Sequence, residues 1–290
     1  MTAVLHLITL FWLGVGSGAA SSAGSWEKLY ETPTPNQWIF SVWLAEDGSW
    51  RAASKNRILS GNAEGVRTTE LGDYDVYAFG EDAAGTVIAA GSRQAIWEED
   101  AHGFKRVHER PGPPQKGRAA HRDVLDGIGY FDPEHPDRLF AHASLAFALW
   151  RRPDGTWQLA EDDRAAQRGA NGPVINPPKG CHIAAWNWLD RTDGFLQCQE
   201  GQAYLYNGAV MAAPLGDIPG SCRLGMAAVV RTGSDLFASC SDERRIWRLR
   251  AGTGRWAIVP GIGHVSSLHA RNGCLLVGTK RAVYRSCDPP

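Results

Sequence analysis

No lysine or arginine precedes the apolar run Leu5–Val15, no cysteine occurs before Cys181, and no apolar stretch after residue 23 approaches that first run in length. The last absence excludes a hydrophobic helix spanning a bilayer in the rest of the chain, which would need roughly 20 apolar residues. Formal net charge is only -1, which argues against a generic nucleic-acid binder. Helical periodicity is scarce, and no low-complexity segment or domain linker interrupts the chain. The sequence carries no G-x-S-x-G nucleophile elbow, no phosphate loop, and no H-x-H or HExxH ligand spacing. These gaps remove the commonest local signatures of hydrolases, nucleotide enzymes and metal enzymes.

The opening residues, MTAVLHLITLFWLGVGSGAASSA, pass from that apolar core into small residues. They fit a secretory signal over residues 1–23, cleaved near Ala20 or Ala23, although the basic start is missing. The mature chain, 24–290, is then a single secreted domain. The full chain's 33 glycines and 12 tryptophans point to an all-β protein.

Phe131–Leu159 shows how the chain is built. A proline-punctuated turn, Asp132 to Asp137, leads into an apolar run at Arg138–His142, and a second run covers Phe147–Arg151. Asp154-Gly155 then signals a hairpin into Thr156–Leu159, whose alternation suits a strand. This stretch resembles the repeat of Asp-box (BNR-like) β-propellers. Asp132-Pro133, Pro136, Leu139-Phe140-Ala141, Trp150 and Asp154-Gly155-Thr156-Trp157 carry the match, while Arg152 stands where the repeat has serine. The hairpin is also one residue short. Elsewhere the likeness is faint, as at Val283–Asp288. Trp256 to Gly261 faintly resembles the tectonin lectin repeat. The Arg-Ile-Pro motif expected of a sialidase is missing, Arg57-Ile58-Leu59 being no match.

Laid along the chain, the same unit recurs. Its third-strand pair appears at Ile58-Leu59, Ile96-Trp97, Leu149-Trp150, Leu205-Tyr206, Ile246-Trp247 and Val283-Tyr284, with intervals averaging 45 residues. Repeats of about 40–50 residues with four short strands each are the signature of a β-propeller. Five units end in a fourth strand, and the sixth stops without one. Ser25–Tyr30 reads as a fourth strand lacking its first three. The expected fold is therefore a six-bladed β-propeller with the N-terminal strand completing the last blade, which also leaves no unpaired terminal edge.

Six cysteines in an exported chain favour disulfides. Cys181 and Cys222 open equivalent first strands, and Cys198 and Cys240 fall at matching places in second strands. That equivalence suggests Cys181–Cys198 and Cys222–Cys240, with Cys274–Cys287 crossing a hairpin. Linkage between blades, such as Cys198 to Cys222, is the rival.

Placing turns on a propeller gives two unlike faces. Second-to-third turns contribute Lys55, Arg57, Arg93, Arg244-Arg245 and Lys280-Arg281 to one face, and the long connections 110–122 and 161–180 add Lys116, Arg118, Arg122, Arg164, Arg168 and Lys179. That face is expected to be basic. The other receives Glu46-Asp47, Glu81-Asp82, Glu98-Glu99-Asp100, Asp154, Asp193 and Asp235, and is expected to be acidic unless these are simply turn formers. First strands begin at the basic mouth, which gathers His121, Arg122, Asp123, His182, Arg223 and His264. His121, His182 and His264 could meet, but without a ligand motif no metal or cofactor is assigned. Trp186 and Trp188 share one face of a first strand, either as packing or as a platform for a sugar ring. The sequence thus suggests a secreted module binding a glycan or another small polar or anionic ligand, through Arg93, Lys280 and the mouth residues. The alternative is a pocket enzyme such as a lactonase, hydrolase or biosynthetic cyclase, kept open by Glu161, Asp162, Asp163 and Asp123. A lectin would repeat similar sites around the ring, whereas an enzyme would gather unlike groups at one mouth.

Overall fold

The computed structural model describes residues 25–34, 37–112, 124–130, 139–143, 147–152, 154–159, 178–189, 193–207, 211–219, 222, 226–240 and 244–289. The proposed signal and most of the long connections 110–122 and 161–180 lie outside them. The described residues contain 24 strands and no α-helix, so none of their elements is a helix long and apolar enough to cross a membrane.

The strands form four-stranded antiparallel sheets, six among the described residues. β1 (Glu27–Glu31) stands apart in sequence. Sheet 1 follows with β2 (Ile39–Leu44), β3 (Trp50–Ser54), β4 (Arg57–Asn62) and β5 (Gly65–Glu70). Sheet 2 holds β6 (Val76–Glu81), β7 (Val87–Gly91), β8 (Ile96–Asp100) and β9 (Gly103–His108). Sheet 3 holds β10 (Gly127–Tyr130), β11 (Leu139–Ala143), β12 (Phe147–Arg151) and β13 (Trp157–Leu159). Sheet 4 holds β14 (Ile183–Trp188), β15 (Asp193–Cys198), β16 (Gln202–Asn207) and β17 (Met211–Asp217). Sheet 5 holds β18 (Met226–Thr232), β19 (Asp235–Cys240), β20 (Ile246–Leu249) and β21 (Trp256–Val259). Sheet 6 runs β22 (Val265–Arg271), β23 (Cys274–Thr279), β24 (Ala282–Ser286) and finally β1, which pairs with β24 through Lys28↔Tyr284 and Glu31↔Ala282.

Burial explains each strand's composition. Second strands are covered on both faces by neighbouring sheets, so they read as unbroken apolar or small runs: Val87–Gly91 is buried throughout, as are Leu236–Cys240 and Leu275–Thr279. Outer strands face solvent, and β5, GVRTTE, is exposed at five of its six positions. The sheets touch through their first strands. β2 meets β22 and β6, β6 meets β10, and β18 meets β14 and β22. Between β10 and β14 the contact is made by glycine: a Cβ on Gly129 would lie 2.6 Å from Trp188 Nε1. Only the missing side chain lets that indole lie against the neighbouring strand. Gly129→Ala should destabilise the fold by about 1–3 kcal/mol, read as a lower urea midpoint with unchanged slope.

The disulfides are Cys181–Cys198, Cys222–Cys240 and Cys274–Cys287. Each ties a sheet to itself, and the interblade alternative is not what forms. Sheets 4 and 5 are joined instead by the fully buried Gln197, whose Nε2 donates to Cys222 O at 2.8 Å.

Candidate functional site

First strands begin at one face, and five of them carry the same irregularity. Register slips by one residue between Ile39 and Ser41, Val76 and Ala78, Ile183 and Ala185, Met226 and Ala228, and Val265 and Ser267. β10 pairs with β11 without a slip. A β-bulge re-aims the extra residue and sharpens the local twist, and bulges concentrate at rims and sites. The extra residues are Phe40, Tyr77, Ala184, Ala227 and Ser266, so geometrically equivalent positions are filled by unlike residues. Phe40 and Tyr77 stand with ring centroids 5.5 Å apart. The Tyr77 hydroxyl donates to Asp75 Oδ2 at 3.4 Å, and burial, then the Asp75 charge, raises its pKa.

One sector of this face gathers cations. Trp38, just before β2, has the Arg244 guanidinium carbon 4.3 Å and the Lys280 ammonium 5.8 Å from its ring centroid. Backbone bonds tie the Arg244 and Lys280 segments to the start of β22: Val265 N–H donates to Arg244 O at 2.9 Å, and Lys280 N–H to His264 O at 3.2 Å. Beside them lies a cavity of about 420 Å³ walled by His264, Lys280, Arg281 and Tyr284.

Elsewhere on this face, among the described residues, Arg93 and His182 each meet a carboxylate. Arg93 pairs with Glu109 at 2.5 Å and lies 4.9 Å from the Tyr74 ring centroid. Glu109 also takes Arg106 at 3.3 Å and the Tyr74 hydroxyl at 2.6 Å. The Arg93 charge is therefore engaged and presents no open anion site. The exposed His182 is bonded to Glu200 through both its backbone N–H and its ring Nδ1, and the His182 side-chain bond lowers the Glu200 pKa. Glu70 and Glu31 approach Arg57 and Arg281, each at 3.8 or 3.7 Å. Glutamates near the ends of β1, β5 and β9 thus stand against three of the second-to-third-turn cations, Arg57, Arg93 and Arg281. His121, Arg122, Asp123 and Arg223 lie outside the described residues, as does the Trp186 side chain. Trp188 packs on Gly129, so its contact is interblade packing.

The opposite face is neutralised as well. Arg51 bonds Glu99 at 2.7 Å, Arg151 bonds Asp82 at 2.6 Å and Glu98 at 3.0 Å, and Arg231 bonds Asp193 at 2.7 Å. Each of these joins neighbouring sheets, while Arg248 and Asp235 pair within sheet 5 at 2.7 Å. Arg271, at the end of β22, reaches past β2 to Glu81 at the end of β6. The turn carboxylates also cap backbone. Asp47 accepts from Ser49 N–H, Asp82 from Ala84 and Thr86, and Asp154 from Thr156. Burial would raise the Asp82 pKa, but the Thr86 N–H and the Arg151 guanidinium more than offset it and leave it lowered. Deeper along the first strands, His269 Nδ1 accepts from Leu44 N–H at 3.0 Å and the His269 ring lies on Trp43, centroids 4.0 Å apart.

No family model matches the chain, and no curated protein matches it. Solved structures do. The β-propeller domain of Cps50 (Swd1) from Myceliophthora thermophila is 11% identical, with 90% of this chain and 99% of that chain covered and a TM-score of 0.61. The WD40 propeller domain of Doa1 is 10% identical over 91% and 97% of the two chains, with a TM-score of 0.56. A Thermus thermophilus protein described as a putative oxidoreductase (glucose dehydrogenase) is 14% identical over 91% and 100%, with a TM-score of 0.55.

The chain has a β-propeller fold. At such identities the likeness carries the fold alone, and what happens at the mouth has to be argued from its own residues. In a propeller the first strands line the axis, so Phe40 and Tyr77 stand at its rim, and Trp38 with Arg244 and Lys280 stands beside them. The sequence reading missed Trp38, Phe40 and Tyr77. Comparing the second residue of every first strand would have singled out the two aromatic positions.

Proposed function

We propose that the chain is an exported six-bladed propeller, its ring completed by β1 in the last blade, that binds one polar or anionic ligand of the glycan class at the mouth near Trp38. The repeat spacing, the pairing of β1 with β24 and the first-strand contacts support the ring. The leader at residues 1–23 and the three disulfides suit an oxidising compartment. Blade 3 is read as an Asp-box blade, with Asp154 capping Thr156.

The observation that carries the binding role is the convergence of Arg244 and Lys280 on Trp38. An indole offers an apolar surface to a sugar's C–H face, and two cations beside it favour a ligand with a negative group. Lys280→Glu with Arg244→Glu should weaken an acidic glycan at least tenfold at low salt, the loss of about 1.4 kcal/mol. Unchanged affinity in a low-salt titration would sink this reading.

A pocket enzyme, such as a lactonase, hydrolase or cyclase, remains the second reading. It is favoured by one observation: equivalent bulge positions hold Phe40, Tyr77, Ala184, Ala227 and Ser266, an unlike set around a single mouth. Repeated lectin sites would have kept those positions alike.

A further inference from the structure

The connection from β21 to β22 has backbone N–H groups that the fold itself does not use. Gly261, Ile262, Gly263 and His264 present four successive N–H groups, and none has a hydrogen-bond partner among the described residues. Neighbouring N–H groups are spoken for: Val265 donates to Arg244 O, Lys280 to His264 O, and Arg281 and Ala282 to Thr279 Oγ1. Gly261 at φ 92° and His264 at φ 57° both lie in the left-handed region. Changes of hand between successive residues curl N–H groups into a concavity, an arrangement that binds anions. The loop is held from behind by Trp26, whose Nε1 donates to Pro260 O at 3.2 Å.

This loop forms one wall of the 420 Å³ cavity, and Lys280, Arg281 and Tyr284 form much of the other. No carboxylate lines it. Glu31 approaches Arg281 to 3.7 Å, and both of those side chains are about half exposed. The cavity therefore brings the unpartnered backbone strip together with the residues Lys280, Arg281 and His264 around one small volume.

We infer that this cleft binds the oxyanion of a sulfate or phosphate monoester carried by the ligand of the mouth. The inference rests on the mouth reading for the rest of that ligand. The donors outnumber what a carboxylate can accept with two oxygens, whereas a monoester presents three terminal oxygens and up to two charges. Lys280 is shared: its ammonium lies near Trp38 and its backbone closes the cleft, so one ligand spans both.

The test uses the secreted, disulfide-intact protein labelled with nitrogen-15. It is titrated with sodium sulfate and, separately, sodium phosphate at pH 8, with ionic strength held constant by chloride. The expected result is saturable movement of the amide signals of Gly261, Ile262, Gly263 and His264, weakened about tenfold in the Lys280→Ala, Arg281→Ala double variant and unchanged in Lys55→Ala. Tighter sulfate assigns a sulfate ester, and tighter phosphate a phosphate ester. Shifts that rise linearly without saturating, or that match those of chloride, overturn the inference. If the anions fail while an acidic glycan still binds through Trp38, the cleft falls and the mouth stands. If the anions saturate while no glycan binds, the cleft stands and the mouth reading falls.

Discussion

Removing residues 25–31 should abolish the cooperative melt or lower its midpoint by about 10 °C or more. The reason is where those residues sit. β1 is the outer strand of sheet 6, paired with β24, and Thr32 N–H extends the contact to Arg281 O at 2.7 Å. Leu29 and Tyr30 pack on the cluster of Ile39, Trp50, Leu276 and Val283, while Trp26 packs on that of Phe237, Val259 and Leu275. One short segment therefore covers two interblade cores, and its loss also leaves β24 as a bare edge. Trp26→Ala alone removes a partly buried indole and its bond to Pro260 O. Its cost should be about 2–4 kcal/mol, a fall of several degrees. A truncated protein that melts like the full chain would contradict the ring closure.

The second large effect concerns pH. His269 sits deep in the ring, where loss of solvation, then the positive charge of Arg271, lowers its pKa to about 3. The residue is half-buried, so part of its surface remains accessible. An unfolded histidine titrates near 6.5. Between those values the unfolded chain binds a proton that the folded one refuses, so stability is complete above about 6.5 and falls as the solution is acidified. From pH 7.5 to 4.5 the loss should be about 2–3 kcal/mol, less where solvent reaches the half-buried ring. His269→Gln keeps an acceptor for Leu44 N–H and should flatten that slope. Urea midpoints at the two pH values decide it, and equal slopes for both proteins would refute the assignment. Arg271, Glu81 and Glu46 are the charged groups nearby. The Asp82 and Asp235 pKa values are lowered, so those carboxylates lose their contribution only at lower pH. His108, lowered chiefly by burial, acts in the same direction as His269 and is controlled by His108→Gln.

The strands were legible in the sequence because each unit writes its own turns. Asp154-Gly155 and the Asp47 and Asp82 turns are local chemistry, each carboxylate capping amides two to four residues on. The disulfides were legible for a different reason: Cys181 and Cys222 occupy one repeat position, and Cys198 and Cys240 another. What could not be read was pairing across the ring. Arg51 meets Glu99 48 positions away, and Arg271 meets Glu81 190 positions away. Counting charges by turn therefore gave a basic and an acidic face, whereas among the described residues the fold pairs Arg51, Arg151, Arg231 and Arg271 with acids of the second face. The bulges were hidden because a bulge needs no particular residue, and Phe40, Tyr77 and Ser266 share no signature. Trp38 was hidden because it lies between repeats and has no counterpart.

The most direct measurement is binding of the disulfide-intact protein to a broad glycan array at low and physiological salt, beside the Trp38→Ala and Arg244→Glu variants. The account predicts binding to a related set of acidic glycans, weaker at higher salt and lost in both variants. A blank array, or binding indifferent to both substitutions, would contradict the mouth as the binding site.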